Sequence, residues 1–236
     1  MHTVNDIGLE WISDRHLLLK FSHVQRDATT LQRVHAAAQS VNRAKIPGVL
    51  DVVPAEATVL IAFDARELEY ERAASLVSRV LKKAVTDAPF ATGRRVDIPV
   101  CYDSAFAPDL ETIAAQLNLH ARDVIQLHLS AEYVVKFVGF VPGFAYLSGL
   151  PTQLHVPRLN SPRPRVPAGS VAIAGDQAGV YPLEVPGGWR LIGRTPIAMF
   201  DASREQPSLL QHGDRVKFVE IGTNEFHRLT QHKERR

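Results

Sequence analysis

Two periods organise the apolar positions of the first hundred residues. Residues 16–21 (HLLLKF) read as a short strand, and Leu31, Val34, Ala38 and Val41 then recur at helical spacing with Asp27 and Thr29 as candidate N-caps. Pro47-Gly48 ends that helix. Residues 49–53 and 58–63 are β-branched runs joined by a hairpin-length Pro54-Ala55-Glu56-Ala57. Ala73, Leu76, Val77, Val80, Leu81 and Ala84 predict a second helix from about Glu67 to Val85, and Val96, Ile98 and Val100 alternate as a strand. The order β-α-β-β-α-β is the ferredoxin-like arrangement, which supports many functions and selects none.

Beyond residue 103 the pattern changes twice. Leu110, Ile113, Ala114 and Leu117 form one short helical pattern and Val124, Ile125 and His128 a second. As a helix-turn-helix the pair lacks basic residues for phosphate or base contact, since Asp123 sits beside Arg122. We read the pair as a helical connector. From about Glu132 the chain turns to short strands, expected at residues 132–140, 170–174, 179–183, 189–192, 197–200 and 215–221. Residues 139–200 hold 9 of the 14 glycines and 9 of the 15 prolines, which forbids long helices and favours a small barrel or sandwich. The reading is an α+β chain: a ferredoxin-like domain at 1–103, a connector at 104–131, a β-barrel domain at 132–236 and a charged, frayed tail from His232.

Composition narrows the function. Of 236 residues 45% are hydrophobic and 22% charged, which excludes a disordered chain. The net charge, 27 − 25 = +2, argues against broad nucleic-acid binding. Cys101 is the single cysteine, so neither an internal disulfide nor a cysteine metal cluster is expected. Asp6, Glu10, Asp14 and Arg15 interrupt the early apolar positions, and no apolar run approaches the ~20 residues of a membrane helix. The expected location is cytoplasmic, without membrane or nucleic-acid partners.

The candidate chemistry lies in residues 139–200. Arg158, Arg163, Arg165, Arg190 and Arg194 face only Asp176 and Glu184 there, a local excess of 5 − 2 = +3. In Ser161-Pro-Arg163-Pro-Arg165-Val-Pro167 the prolines hold an extended backbone, and alternation directs both arginines to one side as an anion clamp. The same segment fits a rigid solvated loop whose arginines cap carbonyls, and residue types alone favour that loop. Gly169, Ser170 and Gly175 let backbone approach a ligand, and Gln177 and Tyr181 offer hydrogen bonds from a pocket wall; each glycine fits an ordinary turn equally well. Phe140, Phe144 and Tyr146 flank Pro142-Gly143 and line either an aromatic pocket or the core, with Phe140 assigned to the core. Gly188 to Thr195 has phosphate-loop spacing, but Arg194 replaces the lysine and bulky residues fill the loop, so we reject it. No paired histidines suit a metal, and no Gly-x-Ser-x-Gly elbow occurs. Cys101 reads as an inert residue at a strand end.

The runs Phe140-Val-Pro-Gly-Phe-Ala-Tyr-Leu, Pro162-Arg-Pro-Arg-Val-Pro-Ala-Gly-Ser-Val-Ala-Ile-Ala-Gly, Gly179-Val-Tyr-Pro and Pro186-Gly-Gly-Trp-Arg-Leu-Ile-Gly-Arg-Thr-Pro together resemble the family of 5-oxoprolinase B subunits, which includes KipI-type kinase inhibitors and is also labelled allophanate hydrolase subunit 1. The likeness spans nearly the whole chain and is strongest over 132–200. It implies a cyclophilin-like barrel after the ferredoxin-like domain. It implies a direct partner, the C subunit of 5-oxoprolinase, and a further component, the A subunit. It also implies ATP with Mg2+ in the assembled complex, where 5-oxo-L-proline is phosphorylated and opened to glutamate. On that reading Arg163, Arg165 and Arg194 stabilise the transferring charge, and Phe144, Gly169, Ser170, Gln177, Tyr181 and Thr195 bind substrate. Two rivals stand beside it: a KipI-type inhibitor docking on a histidine kinase, and a component of a biotin-dependent carboxyltransferase of the urea amidolyase kind. The chain has no Met-Lys-Met segment, its methionines being Met1 and Met199, so biotin would have to arrive on a partner. Asp103-Ser104 and Ala107 stand where the family often has glycines, and Ala172, Ala178 and Val185 replace its common Gly, Thr and Ser. Loss of a hydroxyl at Ala178 is expected to remove a ligand hydrogen bond, which bears on the substrate more than on the fold.

Overall fold

A two-residue link, Asp14-Arg15, folds β2 (Ile7–Ser13) back onto β3 (His16–Phe21), and that hairpin seeds the first sheet. In the computed structural model, which describes residues 2–4, 6–21, 28–84 and 93–234, β1 (His2–Val4) pairs with β2. After α1 (Ala28–Arg43), β4 (Val49–Pro54) and β5 (Thr58–Phe63) add on as β1-β2-β3-β5-β4, antiparallel throughout, and α2 (Tyr70–Ala84) follows. Strict alternation in β3 and β5 turns Leu17, Leu19, Phe21, Val59, Ile61 and Phe63 inward. They meet Val34, Ala38 and Val41 of α1 and Ala73, Val77 and Leu81 of α2, closing one apolar core. The expected N-cap Asp27 and helix end Val85 lie outside the described residues, and Thr29 sits inside α1.

The strand expected to complete this sheet does not belong to it. The chain divides into two compact units, residues 1–91 and 92–236, and β6 (Arg95–Val100) is in the second. There it pairs in parallel with β14 (Arg215–Glu220) from Arg215↔Arg95 to Glu220↔Val100. The place beside β3 is taken by β2, which reaches it through a two-residue turn. A neighbour in sequence closes that gap at a smaller loop-entropy cost than a strand some seventy residues away.

The second unit continues with α3 (Leu110–Leu117), α4 (Ala121–Ser130), β7 (Tyr133–Val138) and β8 (Ala145–Ser148). A short turn of 3-10 helix (Thr152–Leu154) precedes β9 (Arg163–Val166), β10 (Ser170–Ala174) and β11 (Gln177–Val180). Then come β12 (Val185–Gly187), β13 (Arg190–Arg194), β14 and α5 (Thr223–Glu234). Seven strands form one sheet in the order β13-β10-β11-β8-β7-β14-β6, and β12 and β9 form a separate ribbon. The two edges of the large sheet meet where Cys101 and Arg194 exchange backbone hydrogen bonds of 2.8 and 2.9 Å, so the sheet curls into a nearly closed barrel. Cys101 is buried there.

Helices α3 and α4 are not a connector. Leu110, Ile113, Ala114, Val124 and Ile125 share the main core of the unit with Ile98, Val135, Leu147 and Phe218. Asn118 ends α3 in the left-handed conformation at φ 55°, and Leu119 N–H reaches back to Ala114 O at 2.9 Å. The turn that suggested DNA recognition thus folds two helices onto the barrel. Residues 197–200 make only an isolated bridge, Phe200↔Ser208, because Thr195-Pro196 breaks the ladder. Phe140, expected in the core, is 61% exposed at φ 68°. Among the described residues no helix is long and apolar enough to cross a membrane.

Candidate functional site: an aromatic face of the barrel

Alternation gives four neighbouring strands two different faces. Val171 and Ile173 of β10, Ala178 and Val180 of β11, Ala145 and Leu147 of β8 and Ile192 of β13 join the main core. Their alternates, Ala172, Ala174 and Leu191, join Phe144, Tyr181, Trp189 and Val166 in a second cluster, against which Tyr146 and Val185 pack half-buried. Phe144 is the hub. Its ring meets Tyr146, Tyr181 and Trp189 edge-on, at centroid distances of 4.8, 5.2 and 5.5 Å. Tyr146 lies 5.7 Å from Trp189 and stacks on Phe137 at 4.3 Å. Gly179 lets these rings reach the sheet: a Cβ there would stand 3.0 Å from Phe144 Cζ and 3.2 Å from Trp189 Cζ3.

Polar groups border this face. The Arg158 guanidinium lies over the Trp189 ring, 5.8 Å from its centroid. Burial raises the pKa of the Tyr146 and Tyr181 hydroxyls, and the Arg158 charge opposes that rise at both. Lys136, 8% exposed, is the additional residue where the β7–β8 register shifts between Val135 and Phe137, and its Nζ stands 3.7 Å from Asp176 Oδ2.

The residues expected to bind and act are distributed differently. Arg163 Nη2 donates to Asp109 Oδ1 at 2.6 Å, and the other oxygen of that buried carboxylate accepts the Leu191 N–H at 2.6 Å. Arg163 therefore ties β9 to the start of α3 and to β13. Arg165 is 82% exposed, and among the described residues it reaches Glu184 alone, at 4.0 Å. The two arginines engage separate acids and do not converge on one anion. Arg194 Nε donates to Ala168 O at 2.9 Å, and burial lowers its pKa.

Gly169, Ser170, Tyr181, Arg194 and Thr195 do come together, but as a turn that satisfies itself. Gly169, at φ 82°, donates its N–H to Tyr181 O at 2.7 Å and accepts from Thr195 N–H at 2.9 Å. Ser170 Oγ donates to Pro167 O at 2.7 Å, and Thr195 Oγ1 accepts from Ile197 N–H at 3.3 Å. Phe144 is the expected binding residue that lies at the heart of the aromatic face, and Gln177 stands half-buried opposite Ala174 at the start of β11. Ala178 faces the main core, so a hydroxyl there would meet apolar side chains and no ligand; the expected loss of a ligand contact is corrected.

Sequence reasoning counted Arg158 among the five arginines without giving it a role, and passed over Trp189, Lys136 and Asp109. Trp189 and Arg158 stood in the motif-rich stretch, but the strands that bring them together are separated along the chain. Asp109 lies 54 residues from the arginine it holds.

Comparison with known proteins agrees with this architecture. Residues 7–210 match the family described as carboxyltransferase domain, subdomain C and D. The 5-oxoprolinase B subunit of Bacillus subtilis (strain 168) is 38% identical over 229 residues, covering 93% of this chain and 95% of that protein. The 5-oxoprolinase B subunit of Escherichia coli O157:H7 is 56% identical over 126 residues, 53% of this chain and 58% of that one. Among solved structures, the protein TTHA0988 is 40% identical with a TM-score of 0.77, over 88% of this chain and 40% of the longer TTHA0988 chain. With the family match spanning most of its residues and a relative collinear with it almost end to end, the chain belongs to the family of carboxyltransferase subdomains C and D that includes the B subunits of 5-oxoprolinase.

Proposed function

We propose that the chain serves as the B subunit of an ATP-dependent 5-oxoprolinase, with the C subunit as its direct partner and the A subunit completing the enzyme. In this reading the curled sheet is a cyclophilin-like barrel, and the first unit is a ferredoxin-like variant in which β2 fills the place of the last strand. The observation that carries it is the 38% identity over nearly the full length of a protein bearing that subunit name. The complex converts 5-oxo-L-proline, ATP and two waters to glutamate, ADP and phosphate. Transfer of the phosphoryl group to the amide oxygen weakens the ring C–N bond before water opens it.

The aromatic cluster is closed: Phe144, Tyr181 and Trp189 are buried against Ala172, Ala174 and Gly179, and it braces the barrel. Among the described residues no group of three His, Cys, Asp or Glu is placed to hold a metal ion. Mg2+ would enter on the phosphates of ATP, which asks no dedicated cage of this chain.

The test is reconstitution. The chain should co-purify with the C subunit, and 5-oxoproline-dependent ATP hydrolysis should appear on adding the A and C subunits and stay negligible without them. A complex that forms but hydrolyses no ATP with 5-oxoproline would sink the proposal. The family description keeps one other reading, carboxyl transfer from a biotin carried by a partner. That reading requires activity that avidin blocks, whereas lactam opening is indifferent to avidin.

A further inference from the structure

The hairpin that joins β7 to β8 is built from two nested turns. Val141 N–H donates to Gly139 O at 2.8 Å, which closes a three-residue γ-turn around Phe140 at φ 68°. Phe144 N–H donates to Val141 O at 3.1 Å across Pro142-Gly143, with Gly143 at φ 82°, a four-residue turn that suits those two residues. Gly139 N–H donates to Phe144 O at 3.0 Å and ties the turns together. Gly143 also lies against the segment before β14, since a Cβ there would stand 2.7 Å from Phe200 Cβ. The tip is therefore cross-braced, and its backbone holds Phe140 in one place.

This position costs the chain twice. A γ-turn with positive φ is rare and strained for a bulky L-residue, whereas glycine occupies it freely. Phe140 is also 61% exposed, so most of its ring stays in water. Within the chain that ring meets Phe144 edge-on at 5.6 Å, while Phe144, Tyr181 and Trp189 close the cluster beneath it. A lone exposed apolar side chain is ordinary on a protein surface. One held out by a strained, hydrogen-bonded turn is different, because glycine would relieve the backbone and a polar residue would suit the solvent. What offsets the strain lies outside the chain. A rigid aromatic knob is what an interface uses as an anchor, since little freedom is lost when it enters a pocket.

The partner follows from the chain's place in its domain. The family is one of carboxyltransferase subdomains C and D, so a complete domain draws its other subdomains from further polypeptide. In TTHA0988 the region matched by this chain is 40% of the polypeptide, and the rest is joined to it covalently. Charge gives the partner's chemistry. Residues 139–200 carry five arginines against Asp176 and Glu184, and Arg158 stands exposed over Trp189, two ring contacts along from Phe140. We propose that Phe140 is the anchor by which this chain docks the polypeptide that supplies the rest of the carboxyltransferase domain, entering an apolar pocket rimmed by carboxylates. The inference rests on the 5-oxoprolinase reading for the identity of that polypeptide, the C subunit, and on this chain's own geometry for the identity of the anchor.

With the purified full chain and the C subunit, Phe140→Gly should raise Kd about 10- to 100-fold, the range of an interface hot spot. The melting temperature of the free variant should hold or rise, because glycine accepts the left-handed turn. Arg158→Glu should slow association several-fold at low salt and little at high salt. An association rate indifferent to Arg158→Glu overturns the acidic rim. Equal Kd for Phe140→Gly and wild type overturns the anchor and leaves the 5-oxoprolinase reading intact. Binding lost together with a fall of several degrees in melting temperature makes Phe140 structural and overturns it too. So does a dimer of the chain alone, seen by sedimentation and dissolved by Phe140→Gly, which would seat a second copy on the loop. A wild-type complex that depends on Phe140 but hydrolyses no ATP with 5-oxoproline sinks the functional reading and keeps the anchor. A wild-type chain that binds no C subunit overturns both.

Discussion

Arg163 and Arg165 are two residues apart on one strand, yet different acids hold them, and substitution should expose the difference. Asp109 is buried and accepts from both Arg163 and the Leu191 N–H. Arg163→Gln leaves that carboxylate without its cation and should cost about 2–3 kcal/mol in denaturant unfolding. Arg165→Gln, on an exposed pair at 4.0 Å, should stay within about 0.5 kcal/mol. Equal stability of the two variants would show that Asp109 does not depend on Arg163. His128 makes a second residue-scale case. It is fully buried, its Nδ1 lies 2.8 Å from Tyr102 Oη, its ring stacks on Phe218 at 4.5 Å, and burial lowers its pKa from 6.5 to about 3. Because the folded value lies below the ordinary one, the unfolded chain takes up the proton first. The stability tied to a neutral His128 is therefore whole above about pH 6.5 and falls away toward pH 3, on the order of 5 kcal/mol in full. Urea midpoints followed from pH 7 to pH 4 should drop more steeply for the wild type than for His128→Gln. Parallel curves would remove His128 from the acid response.

Elements show why the pattern of residues was readable in some places and not in others. The helices α1 and α2 and the strands β3 and β5 follow their sequence periods because each buries one face against near neighbours, and local alternation is sufficient to mark that face. The sequence reading placed β6 rightly as a strand and wrongly as a partner. Val96, Ile98 and Val100 announce a buried face but carry no mark of whether it meets the first sheet or β14, more than a hundred residues on. Helices α3 and α4 were read as a link because they are short; their apolar stripes belong to the barrel core. The site was legible to the same degree. Phe144 and Tyr146 are close together in one motif and were read, with Phe140, as lining either an aromatic pocket or the core; Phe144 is core and Phe140 is exposed. The role of Gly179 depends on β11 lying beside β8 and on Trp189, in the turn before β13, reaching over it, a relation that no single period encodes. The arginine clamp failed for a related reason: spacing aligned Arg163 with Arg165, but Asp109 lies in another element and chose between them.

At the scale of the whole chain, the strand exchange moves the boundary at which the molecule can be cut. A barrel taken from residue 132 would lose β6, α3 and α4, and with them Ile98, Val100, Leu110, Ile113, Ala114, Val124 and Ile125 from one continuous core. It would also bare the edge of β14 along the six residue pairs from Arg215↔Arg95 to Glu220↔Val100, an open strand edge of the kind that invites aggregation. Cutting at residue 104 keeps the helices but still removes β6, and it breaks the Cys101–Arg194 bridge by which the sheet's two edges meet. Residues 92–236 keep every one of these elements, as the second compact unit. Six of these seven are large aliphatic side chains that contribute roughly 1.5–3 kcal/mol each, so their loss is comparable to the whole ~5–15 kcal/mol by which domains of this size are stable. We expect residues 92–236 to express as a soluble protein with a cooperative thermal transition and dispersed amide resonances. Residues 132–236 should be insoluble or unfolded, and residues 104–236 should melt at a lower temperature or aggregate. A cooperative, monomeric fold for residues 132–236 would show that β6 and the two helices only decorate the barrel. It would restore the boundary that periodicity alone suggests.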